Sequence, residues 1–243
     1  EEAEWEYDGN AHAPEAYVQG TNDKLAVTGA AVNAGANYTA TAAQGDSNYI
    51  ITSGATCVFS IKAQEVYLKW YGKDGSETNF VWQYDGKNHA PTAVLADASG
   101  NVINGADNKP ISVSITGATA NVGKNHTAQA VDTFPNYDFH SSVTLTHTFE
   151  IEARNLADFG FVWRAPDAVK TNDGTYDVYT YEYSGGAIAP VPYTQNNIQF
   201  DTVIYTYAGG VKGQRVGAIT EIGEYIITIT PKNPNYAVPA GLD

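Results

Sequence analysis

Apolar and polar side chains alternate over short runs along this chain, and no stretch keeps a sustained helical period. Val143, Leu145, Phe149 and Ile151 fall on one side of an extended run, with three threonines and Glu150 on the other. Successive side chains of a strand point to opposite faces, so this run predicts a half-buried strand. Cys57, Phe59 and Ile61 share a face of another strand, with Cys57 expected to pack as a small buried hydrophobe. Val66, Leu68 and Trp70 mark a third, matched on alternate positions by Phe159, Phe161 and Trp163. Gly and Pro punctuate the runs, and the pattern as a whole predicts an all-β chain.

The runs recur as a set. Trp5-Glu6-Tyr7-Asp8-Gly9 with Pro14 returns as Trp82-Gln83-Tyr84-Asp85-Gly86 with Pro91, and more loosely as Tyr181-Glu182-Tyr183-Ser184-Gly185 with Pro190. A glycine then opens a strand-like run at Gly35, Gly123 and Gly223, and an Asn-Tyr pair follows 13, 13 and 12 residues later. Three ordered anchors at matching offsets define an internal repeat, which sets the architecture before any single residue is interpreted. The expected modules are 1–63, 64–153 and 154–243, each a two-sheet sandwich with its own small core. On this phase the first repeat lacks the Val-x-Leu-x-Trp strand and the third lacks the closing Phe-x-Ile strand, so a segment of a longer protein is expected.

Charge narrows the function classes. The net charge is −14, from 27 acidic and 13 basic residues, and such a field repels phosphate backbones and anionic lipids. Neither a nucleic-acid partner nor membrane insertion is expected, since no apolar run approaches a membrane span. One cysteine allows no disulfide within the chain, which fits a bacterial surface better than a eukaryotic secretory route.

Candidate chemistry is sparse. His12 and His89 share a repeat position with Ile188, and a slot that accepts isoleucine reads as packing rather than acid–base chemistry. His126 takes the place of Tyr38 and Tyr225, and His147 that of Cys57, again as core-facing substitutions. Asn37-Tyr38-Thr39 and Asn125-His126-Thr127 match the glycosylation acceptor pattern at one repeat position, which the third repeat lacks. Lys69 lies in a strand where covalent stalk cross-links are made elsewhere; Val162 replaces it in the third repeat, so an ordinary strand lysine is expected. There is no EF-hand loop, phosphate loop or metalloprotease motif, and neither cofactor, metal nor catalysis is expected. Aromatics confined to the third repeat are the ligand-binding candidates: Tyr176, Tyr179, Tyr193, Tyr205 and Tyr207.

Tyr-Asp-Gly before proline, a Gly-x-Tyr type strand, an Asn-Tyr turn and a closing Phe-x-Ile strand together resemble the MBG/YDG class of bacterial immunoglobulin-like repeats. The resemblance covers nearly the whole chain, and the third repeat departs from it with Ser184-Gly185 for Asp-Gly. It implies an elongated tandem array of three immunoglobulin-like β-sandwich modules in a secreted or wall-anchored bacterial protein. It further implies a stalk or spacer role in an adhesin-like molecule, with neighbouring repeats of the same chain as partners. The expected alternatives are a module binding a host glycan or protein through the third repeat, or an accessory segment of an extracellular carbohydrate-active enzyme.

Overall fold

The computed structural model describes residues 3–43 and 50–239. The first repeat's Asn48-Tyr49 lies outside the described residues. The chain is all-β: among the described residues the helical content is two single-turn 3-10 segments, Lys73–Gly75 and Leu156–Phe159. It divides into two compact units, residues 1–79, 90–117 and 127–147 forming one and residues 80–89, 118–126 and 148–243 the other.

In the first unit a five-stranded sheet runs in the order Ala3–Glu6, Thr56–Lys62, Gly35–Ala43, Lys24–Thr28, Ala16–Tyr17. The closing strand Thr56–Lys62 is parallel to Ala3–Glu6 and antiparallel to Gly35–Ala43. Phe59 and Ile61 are buried on it, and Trp5, Tyr7 and Tyr38 pack around them. A four-stranded sheet in the same unit has the order Tyr137–Phe139, Gln64–Tyr71, Thr92–Ala96, Ser112–Val113. Val66, Ala93, Leu95, Val113 and Ala130 form its buried cluster.

The second unit repeats the parallel closure. Val81–Gln83 pairs in parallel with Glu150, Ile151 and Glu152 of the strand Thr146–Glu152, and Phe149 and Ile151 are buried. Its remaining sheets are smaller. Phe200–Ala208 is central between Val211–Val216 and Glu224–Pro231, Val169–Asn172 pairs with Asp177–Thr180, and Val162–Arg164 with Val191–Tyr193.

Several expectations need correction. Cys57 is exposed, because its strand leaves the core before reaching it and only Phe59 and Ile61 reach the buried layer. The alternating run at 143–151 forms a strand only from Thr146, and Leu145 is exposed. Phe159 is not the counterpart of Val66. Gln64 pairs with Tyr137 and Arg154 with Tyr236, so in strand register Leu156 falls at the place of Val66, and both are fully buried. The 3-10 turn then shifts the Phe161-x-Trp163 strand along the chain. Lys69 forms an ion pair with Glu77 at 2.9 Å.

The repeated turn explains its own residues. Asp8 accepts the side-chain amide and backbone N–H of Asn10, at 3.0 and 2.8 Å, and the His12 ring at 2.8 Å. These donors, Asn10 first, hold its carboxyl at about 2. Asp85 makes the equivalent bonds with the Lys87 N–H and His89. The imidazoles stack on Trp5 and Trp82 at 5.5 and 5.8 Å. His12 and His89 donate backbone N–H groups to Ala31 and Thr119, and Ile188 donates to Ile219 in the same way. The slot is thus a backbone bridge in all three repeats, which is why isoleucine serves there.

Two glycine positions are set by close approach. A Cβ on Gly29 or Gly117, both at positive φ, would collide with the carbonyl oxygen of Thr39 or Thr127. At Gly35 the Tyr38 ring folds back over the glycine, and its hydroxyl donates to the Asn33 carbonyl at 2.9 Å. Tyr225 donates likewise to Glu221 at 3.1 Å. His126 occupies this position over Gly123 but is too short, and its Nε2 is buried without a partner.

His126→Tyr is therefore expected to stabilise the protein by about 1 kcal/mol through a hydroxyl bond to the Asn121 carbonyl, a rise of a few degrees in Tm. Gly117→Ala is expected to lower Tm; both are read by thermal melts. Asp8 titrates lower folded than unfolded, where its value is near 3.8. Its contribution is complete above about pH 4 and lost as pH falls toward 2. The Tm gap between wild type and Asp8→Asn should shrink across that window and be flat above it.

Candidate functional site

The third repeat contains a groove of about 670 Å³. One wall is the segment running out of Asp177–Thr180 to Tyr183; the other is the start of Glu224–Pro231, from Gly223 to Ile227. The hairpin feeding the first wall turns at Asn172-Asp173-Gly174. Asp173 accepts the N–H groups of Tyr176 and Thr175, at 2.7 and 2.8 Å, which hold its carboxyl below the usual range. Asp177 is held down by the Lys170 ammonium at 2.8 Å and the Asn172 amide at 3.1 Å.

Three of the five tyrosines singled out from sequence meet here: Tyr176, Tyr179 and Tyr207 line the groove. Tyr176 and Tyr207 sit edge-to-face, 6.4 Å apart. The other two are elsewhere. Tyr193 lies under the Arg164 guanidinium at 3.3 Å and Tyr205 under the Lys212 ammonium at 3.9 Å, each covered by a cation.

Sequence reasoning missed Tyr181, Tyr183 and Tyr225, which also line the groove. Their signal was present but read as core, because they stand at the places of Trp5, Tyr7 and Tyr38. Tyr181 Oη is buried without a hydrogen-bond partner, and burial, then Tyr179 and Asp167, raises its pKa. Glu182, Glu221 and Glu224 add carboxylates, and no lysine or arginine lines the groove. Such a surface takes apolar, neutral or cationic groups and repels anions. Among the described residues no cluster of three or more His, Cys, Asp or Glu could hold a metal ion, and no helix is long and apolar enough to cross a membrane.

A second constellation occurs twice, where one repeat meets the next. The Asn136 side-chain oxygen accepts the Ala34 N–H at 2.9 Å, and its amide donates to Asn33 at 3.2 Å. Its backbone carbonyl accepts the Gln64 N–H at 3.0 Å. Tyr137 meets Tyr7 edge-to-face at 5.4 Å. In the second unit Asn235 accepts the Val122 N–H at 2.9 Å, its carbonyl accepts the Arg154 N–H at 3.0 Å, and Tyr236 meets Tyr84 at 5.5 Å. Each asparagine thus holds its own repeat's first strand by its backbone and the preceding repeat by its side chain. Burial, followed by the facing tyrosine, raises the pKa of both Tyr137 and Tyr236.

Compared with protein families, with curated proteins and with solved structures, the chain matches none.

Removing an asparagine side chain leaves a part-buried amide unpaired, a loss of about 1–2 kcal/mol. Asn136→Ala is expected to speed hydrogen exchange at the Ala34 amide and leave Val122 unchanged. Asn235→Ala should do the reverse. Residue-resolved exchange by NMR distinguishes the two.

Proposed function

We propose that this chain is a non-catalytic repeat segment of a bacterial cell-surface or secreted protein, a stalk or spacer within an adhesin-like molecule. Its modules are 1–63, 64–153 and 154–243, in the manner of immunoglobulin-like sandwiches. The observation that carries this reading is the junction: the same Asn-Tyr pair ties each of the two later repeats to its predecessor. A spacer needs modules that resist bending against one another. A side-chain amide and an aromatic pair placed beside a short linker supply that resistance without a large interface.

Further support comes from the parallel pairing of the tryptophan strand with the closing strand in the first two repeats, which suits a sandwich module. The reading also accounts for residues spent on turns, bridges and core rather than on a reactive set: His12 and His89 are engaged by Asp8 and Asp85 and stacked on tryptophan. The strong negative charge keeps such modules apart and soluble.

Small-angle scattering tests the proposal. A compact globule of this length has a radius of gyration of about 18 Å. A stalk segment is expected to give a clearly larger value that does not change with protein concentration. A value near the compact figure would reject the spacer reading.

A further inference from the structure

The groove of the third repeat lies where the other two repeats hold a strand. In the first repeat Thr56–Lys62 lies between Ala3–Glu6 and Gly35–Ala43, with Phe59 opposite Ala3 and Tyr38, and Ile61 opposite Trp5 and Gly35. In the second, Ile151 stands opposite Trp82. Trp5 and Trp82 align with Tyr181, and Tyr38 aligns with Tyr225. Carried over, the strand would run between Tyr179–Tyr183 and Gly223–Ile227, and these residues are the two walls of the groove.

What surrounds the groove agrees. Glu224–Pro231 is an edge strand, paired only with Phe200–Ala208, whereas its counterpart Gly35–Ala43 has a partner on both sides. In the filled slots the Tyr7 and Tyr84 N–H groups donate to the closing strand, at Lys62 and Glu152. Tyr183, at the same place, is 62% exposed. Phe59 sits against Trp5 and Tyr38 at 5.6 and 5.5 Å, and Phe149 against Trp82 and His126 at 5.7 and 5.3 Å. Tyr181 and Tyr225 present the same two rings to the groove.

We propose that this groove is an acceptor for one extended peptide strand of Phe-x-Ile pattern ending in lysine, supplied by a separate partner polypeptide. Backbone groups of the two walls give the strand its hydrogen bonds, and the Phe and Ile pockets set its register. Charge selects among such strands. Glu182, Glu221 and Glu224 favour a sequence ending in lysine, as Thr56–Lys62 does, over the acidic Thr146–Glu152. A second copy of this chain is a poor donor, since its own Phe-x-Ile strands are already built into its sheets. The proposal is independent of the spacer reading, and its failure would leave the scattering result untouched.

The test uses the full chain and a fluorescently labelled peptide, Thr-Ser-Val-Phe-Ser-Ile-Lys, which is the sequence of residues 56–62 with serine for cysteine. Saturable one-to-one binding is expected, weakened at least tenfold when Ser replaces both Phe and Ile. In a parallel measurement the same seven residues are fused behind Asp243 through a flexible glycine-serine linker. Tm is expected to rise for the Phe-x-Ile fusion and to stay unchanged for the serine version. The proposal is overturned if neither format separates Phe-x-Ile from its serine control. It is also overturned if the free chain dimerises in sedimentation at the concentrations used, or if a soluble saccharide saturates the groove and the peptide does not.

Discussion

One phenylalanine between two aromatic rings holds each of the first two repeats together. Phe59 packs edge-on against Trp5 and faces Tyr38; Phe149 does the same with Trp82 and His126. The rings come from the tryptophan strand, a middle strand and the closing strand of the repeat, so one buried side chain joins segments some 55 to 70 residues apart. Other features follow from that arrangement. The glycine at Gly35 and Gly123 is needed because the tyrosine or histidine ring folds back over it. The parallel pairing of the tryptophan strand with the closing strand places tryptophan near phenylalanine.

In the third repeat the corresponding rings, Tyr181 and Tyr225, line the groove. Tyr181 keeps its position but has a buried hydroxyl with no partner. Glu224–Pro231 becomes an edge, and the 177–180 segment pairs with a hairpin arm absent from the other repeats.

Much of this was legible in the chain, and the rest was hidden for definable reasons. Alternation placed Phe59, Ile61, Phe149 and Ile151 inward, because period two is a local property. It failed at Cys57 and Leu145, since alternation shows which face a residue shares but not how far the core extends along it. Asn136 was visible as an anchor, but its role was not, because its partner Ala34 lies 102 residues away. Gly29, Gly117 and Gly217 each precede the anchor glycine by six residues, a signal present in the sequence and overlooked. Of the third-repeat tyrosines, Tyr193 and Tyr205 were claimed by Arg164 and Lys212, cations that no sequence spacing connects to them.

The parallel ladder between Ala3–Glu6 and Thr56–Lys62 has a mechanical consequence. The segment from Ala3 to Lys62 starts at one end of that ladder and finishes at the other. Tension between the ends of that segment pulls the strands lengthwise past each other, so their hydrogen bonds must fail together rather than one by one. Val81–Gln83 and Thr146–Glu152 form the equivalent parallel ladder in the second repeat. Among the described residues the parallel ladder of the third repeat is the two-residue pairing of Arg154–Asn155 with Tyr236–Ala237, shorter than either of the others and so able to share a lengthwise pull over the fewest bonds.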